Sequence, residues 1–141
     1  MADEATNITL LGNKGDPVEV IVADGAAIPK NTLMQLTTSP KTVTKTSGAG
    51  QIFFGIFNEE KVANDNRVKF TVLTHCLADL TCGAGETMVL GGTVKTGAVA
   101  NEVTVATDST VEGTAFVVGI AQETVGNDGT GTVLINVGKR R

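Results

Sequence analysis

The residues able to do chemistry in this chain are few, and most of them fall between positions 75 and 82. His75-Cys76, Asp79 and Cys82 supply one imidazole, one carboxylate and two thiols. Structural zinc takes four ligands, usually with two cysteines spaced two to four residues apart. Here five residues separate the cysteines, and the chain holds no second His and no third Cys. A metal centre is therefore not expected. A Cys–His nucleophile pair fails on geometry, because adjacent residues of a strand point to opposite faces. The expectation is two reduced, partly buried thiols and a polar loop imidazole; a Cys76–Cys82 disulfide is sterically allowed. Residues 76–82 read as one helical turn.

Other candidate chemistry fails on spacing. Gly83-Ala84-Gly85 lacks the third glycine of a dinucleotide fingerprint, and Ser47-Gly48-Ala49-Gly50 lacks the following Lys-Ser or Lys-Thr of a phosphate loop. Both read as turns. Glu59-Glu60 and Asp108 fall at strand ends or turns, and no carboxylate pair is fixed at hydrolase distance. Asp24, Asp65 and Asp128 sit beside Asn or Gly, but calcium wants six to eight oxygens and clustered acids. Gly126-Asn127-Asp128-Gly129 reads as a turn that tolerates positive φ. No catalytic, cofactor-binding or metal-ligating residue is expected, no cofactor, and no enzymatic activity.

The elements around these residues speak in short strands. Val18–Val22, Thr32–Leu36, Lys41–Lys45, Ile52–Asn58 and Arg67–Leu73 are rich in β-branched or apolar residues and bounded by turn signals. Thr87–Leu90, Thr93–Lys95, Glu102–Val105, Ala115–Ala121 and Thr132–Val137 continue the pattern. No segment carries helical apolar spacing for more than about two turns.

The halves of the chain look alike. Phe54-Gly55-Ile56-Phe57-Asn58-Glu59 matches Val118-Gly119-Ile120-Ala121-Gln122-Glu123, and an Asn-Asp turn follows each. Val68–Val72 then matches Val133–Val137, and upstream Gly25–Leu33 mirrors Gly83–Val89. A glycine inside each apolar strand marks a sharp bend or a close backbone approach. Two bent strands in matching positions suit a small closed barrel, which also removes edge strands.

Composition narrows the partners. The chain has 141 residues, 41% hydrophobic and 18% charged, with a net charge of −4. No apolar run approaches the roughly 20 residues of a membrane helix. The acidic start Met1-Ala2-Asp3-Glu4 is unlike a signal peptide. Outside Lys139-Arg140-Arg141 there is no basic stripe, and no Trp or Tyr to stack on bases. Neither a membrane nor a nucleic acid is expected as partner. Near the start, Asn7, Ile8, Thr9, Leu10 and Leu11 hold a lone apolar stretch. It reads as the first strand of the barrel, or as an arm that contacts a neighbouring subunit or a capsid by strand addition.

The strands Thr32–Leu36, Ile52–Asn58 and Arg67–Leu73, with Gly55-Ile56-Phe57 and Gly119-Ile120-Ala121 before the last strand, resemble the head decoration or capsid cement proteins of tailed phages. The resemblance spans roughly residues 18 to 137 and rests on β patterning rather than on catalytic motifs. It implies a compact β-barrel and homotrimers at three-fold positions of an icosahedral shell, bridging capsomers of the major capsid protein on the outer surface of the virion, after residence in the host cytoplasm. The expected fold is all-β: a small β-barrel of about ten short strands with an internal pseudo-repeat and an N-terminal arm. The arm is expected over 1–17 and a single barrel domain over 18–141. The alternatives are another virion surface component, such as a spike, fibre or tail-associated β domain, or a small non-catalytic binding module.

Overall fold

The computed structural model describes residues 6–8, 16–106 and 117–137. Every regular element in them is a strand. In chain order these are β1 (Thr6–Ile8), β2 (Pro17–Ile21), β3 (Leu33–Leu36), β4 (Val43–Lys45), β5 (Phe53–Phe57), β6 (Lys69–Leu73) and β7 (His75–Cys82). There follow β8 (Thr87–Met88), β9 (Thr93–Thr96), β10 (Glu102–Val105), β11 (Val117–Ala121), β12 (Val125–Gly126) and β13 (Thr130–Asn136). The fold is all-β and contains a closed five-stranded barrel, formed because β7 pairs with β13 on one edge and with β10 on the other.

Ten of the strands divide into two sets with one wiring. The first sheet runs β2-β6-β5-β3-β4, and the barrel runs β7-β13-β11-β9-β10. Each step in one has its counterpart in the other, antiparallel for antiparallel. The closing contact repeats as well. Ile21 bridges Thr42 in parallel, and 60 residues later Thr81 bridges Glu102 in parallel. The bridge Ile28–Lys61 reappears as Met88–Val125. Positive φ falls at Asn31 and Lys41, then at Gly91 and Asn101. The first sheet is drawn shut at one bridge only, because β2 has five residues where β7 has eight.

The two glycines sit where the repeat requires them. A Cβ on Gly55 would lie 2.6 Å from the Leu73 carbonyl oxygen, and one on Gly119 would lie 2.0 Å from that of Leu134. Leu73 and Leu134 are themselves equivalent positions in β6 and β13. At both places one strand crosses another too closely for any side chain.

Inward residues form two clusters. Val20, Val22, Ile28, Met34, Val43, Phe57, Phe70 and Val72 fill the first sheet. The larger cluster fills the barrel with Cys76, Ala78, Leu80, Cys82, Val94, Val103, Val133 and Ile135. It also takes in Leu33, Phe53, Ile56 and Leu73 from the first sheet, so the two repeats share a core.

Two expectations are corrected. Residues 76–82 are no helical turn but most of β7, in which burial alternates from Cys76 to Leu80. Asp79 interrupts the apolar run and faces outward, which is period 2 and not period 3.6. The repeat also aligns differently beyond the glycine strands: Val72, not Val68, corresponds to Val133, and Gly25 corresponds to Gly85. Alternating sequences match at any even offset, so only the hydrogen-bonded register distinguishes these alignments.

Candidate functional site

One charged side chain is wholly inside the first repeat. Lys61 follows β5, and its chain end has no solvent exposure. Nζ donates to Asp24 Oδ1 at 3.1 Å, to Asp65 Oδ1 at 2.5 Å and to the Val62 carbonyl at 3.1 Å. All three of its protons are thereby used. The carboxylates are held in turn by backbone: the Asn66 N–H donates to Asp24 and the Arg67 N–H to Asp65. Asn64 and Asn66 adopt positive φ, which Asn tolerates, and this folds the loop back over the amine. The Phe70 ring lies 5.6 Å from Nζ and 4.1 Å from the Arg67 guanidinium.

The electrostatics make this cluster a clamp and not a nucleophile. Burial pushes the Lys61 amine down, but Asp65 and Asp24 outweigh it and hold the amine above its ordinary value. The Lys61 ammonium, with the Arg67 backbone N–H, holds Asp65 below the usual carboxylate range. A protonated amine has no lone pair with which to attack. What the cluster does is tie the β2–β3 loop to the β5–β6 loop. Beside it lies a shallow groove of ≈ 410 Å³, lined by Ala27, Ile28, Pro29, Glu60, Val62 and Ala63 with Lys61.

The second repeat solves the same position without charge. Val125 stands at the place of Lys61, Met88 at that of Ile28 and Gly131 at that of Phe70. The Met88 and Val125 side chains occupy the space that a side chain on Gly131 would need. A different polar pin is common to both copies. Glu59 accepts from the Thr71 N–H at 2.9 Å, and Glu123 accepts from the Thr132 N–H at 2.8 Å. Burial pushes Glu59 up, but its bonds to Arg67 and Thr71 prevail and lower it; Glu123 is lowered by its bonds to Thr132.

Cys76 and Cys82 are both buried and no disulfide joins them. Six residue steps along one strand set them about 20 Å apart, far beyond disulfide reach. Burial, then Glu86 and Glu102, pushes the Cys82 thiol up, away from the reactive thiolate. His75 is an exposed strand residue and not a loop residue, with Nδ1 3.9 Å from Asp16. Among the described residues no three His, Cys, Asp or Glu side chains come together as a metal site.

Of the N-terminal contact candidates, Asn7 and Ile8 lie in β1, which pairs antiparallel with β7 of its own chain, Asn7 opposite Ala78 and Ile8 opposite Leu77. Thr9, Leu10 and Leu11 lie outside the described residues. The Lys61 cluster escapes a reading of the sequence because Asp24 lies 37 residues away and both aspartates look like turn residues. The available signal is the repeat, which sets a lysine against a valine.

No protein-family model matches the chain, and no curated protein matches it significantly.

Proposed function

We propose that this chain is a structural virion protein that decorates an icosahedral capsid on its outer surface and stabilises it by bridging capsomers, as a homotrimer at three-fold positions. The observation that carries this reading is a doubly pinned β scaffold that holds apolar side chains in water. Leu90 is 65% exposed in a tight turn, and Val62 is 61% exposed beside the groove. The equivalent turn of the first repeat carries Lys30 where the second has Leu90, so the turn itself does not demand an apolar residue. Such positions gain free energy when a partner covers them, by about 25 cal/mol per Å² of apolar surface. Many copies on one shell convert modest contacts into large avidity. The pattern resemblance to capsid cement proteins supplies the partner class.

The test incubates the purified chain with shells of the major capsid protein from the same virus and sediments them. Saturable co-sedimentation, density over the three-fold positions in cryo-electron microscopy and a higher temperature of shell disruption are expected. Failure to co-sediment would overturn the reading.

A further inference from the structure

The two repeats treat the acids of their matching loops differently. In the first repeat, Asp24 and Asp65 face an internal base, Lys61. In the second, Val125 takes the place of Lys61, and residues 75–137 hold Lys95 as their only base against seven acids. Two of those acids meet at one end of the barrel. β10 turns Val103 into the core and Glu102 and Thr104 outward. The turn Gly83–Glu86 lies over them: the Gly83 N–H donates to the Val103 carbonyl and the Glu86 N–H to the Gly83 carbonyl, each at 3.0 Å. A Cβ on Gly83 would lie 3.3 Å from Glu102 Oε2 and 3.5 Å from Glu86 Cγ, so both side chains converge over its bare Cα. The Thr104 hydroxyl donates to Glu86 Oε2 at 2.5 Å. Glu102 is 4% exposed, yet among the described residues its carboxylate makes no hydrogen bond and no ion pair. No wholly buried side-chain oxygen there lacks a partner, so the little surface that Glu102 shows includes its carboxylate. Lys95 stands opposite Thr104 in register and pairs with neither glutamate.

We propose that Glu102 and Glu86 together bind a basic side chain, arginine or lysine, that a protein partner brings to this end of the barrel. A carboxylate buried without a partner is costly, and the fold does not demand one here. The first repeat has Thr42 at the place of Glu102 and Ala26 at that of Glu86. The chemistry is that of Lys61 supplied from outside: one cation between two carboxylates. A guanidinium or ammonium group makes charge-assisted bonds to both. Two carboxylates and one hydroxyl fall short of the six to eight oxygens that calcium takes. Asp128 adds to the same field: burial first, and then the charges of Glu86, Glu102 and Asp128, raise the Cys82 thiol at this end of β7. The proposal rests on the preceding reading only for the identity of the partner, the major capsid protein.

The test titrates the full chain, labelled with nitrogen-15, with N-acetyl-arginine amide and with N-acetyl-lysine amide, and follows the amide resonances. Saturable shifts are expected at Gly83, Glu86 and Glu102 with at least one of the two, and none with N-acetyl-glutamine amide. Glu102→Gln is expected to bind the same probe about ten-fold more weakly, and Glu86→Gln likewise. Glu123→Gln, whose carboxylate is engaged with the Thr132 N–H, is expected to bind as wild type does. Glu102→Gln is also expected to melt no lower than wild type. A lower melting temperature would show that the carboxylate serves the fold, through Lys95 or another group of the chain, and would overturn the proposal. So would shifts that the glutamine probe reproduces, shifts that persist in Glu102→Gln, or saturation by calcium chloride and by neither basic probe. No shell enters this experiment, so its failure is separate from a failure to co-sediment with capsids.

Discussion

Lys61 is the residue at which burial and charge conflict most sharply. An ammonium with no solvent exposure is tolerated only when its protons are all bonded to acceptors that cannot move away. Asp24 and Asp65 meet that condition because backbone N–H groups hold both carboxylates. The consequence is a stability that depends on pH in a known direction. Asp65 is held below its ordinary 3.8, and Glu59 and Glu123 below 4.5. Groups lowered on folding stabilise the protein above their unfolded values, and that contribution is lost as pH falls through the lower folded values. Lys61, raised above 10.5, contributes fully below that value and loses its contribution as pH rises through the folded one. Melting temperature is therefore expected to fall as pH drops below 4.5. Asp65→Asn should melt lower than wild type at neutral pH but lose less on acidification, so that the two curves converge. Parallel curves in a pH series of thermal melts would show that Asp65 does not carry the linkage.

At the scale of elements, the bent strands β5 and β11 hold the architecture. Gly119 stands against the Leu134 carbonyl, and an added methyl must displace backbone rather than a flexible side-chain tip. Overpacking of this kind costs roughly 1–3 kcal/mol or more. Gly119→Ala and Gly55→Ala are each expected to destabilise by at least that amount in urea unfolding. Gly126→Ala should be nearly neutral, since its methyl would meet only Thr87 Cγ2 at an ordinary 3.6 Å. Equal effects at all three positions would refute the close-approach account. The same glycines explain what a reader of the sequence can and cannot see. Gly55 and Gly119 interrupt apolar runs, so the bend and the duplication are legible from residue types alone. The strand β7 is not, because Asp79 and the flanking cysteines imitate a helical turn, although Asp79 merely takes an outward place and accepts from the Thr132 hydroxyl at 2.8 Å. Register within the repeat is equally hidden, since Val-x-Val alternation fits itself at every even shift. The Lys61 clamp depends on contacts that only the closed sheet brings together.

For the whole molecule, the question is whether two copies of one β unit act as one body. Each has its own set of inward residues, and isolated tandem units would unfold separately. The shared cluster argues otherwise: Leu33, Phe53, Ile56 and Leu73 of the first sheet are counted among the barrel's own core residues. Removing the second repeat would therefore expose them, and the first repeat would lose the burial that covers its outer face. A polar bond keys this junction. Asn101 is 7% exposed and its Oδ1 receives the Leu33 N–H, so deleting the acceptor strands a buried donor. That costs about 1–3 kcal/mol. Asn101→Gly is the informative substitution, because glycine accepts the positive φ, so the loss of the side chain is not compounded by backbone strain. Wild type is expected to unfold in a single calorimetric transition whose van't Hoff and calorimetric enthalpies agree. Asn101→Gly is expected to lower its midpoint by about 3 °C for each kcal/mol lost. Two resolved transitions in wild type, or an unchanged midpoint in Asn101→Gly, would mean that the repeats are linked by chain alone.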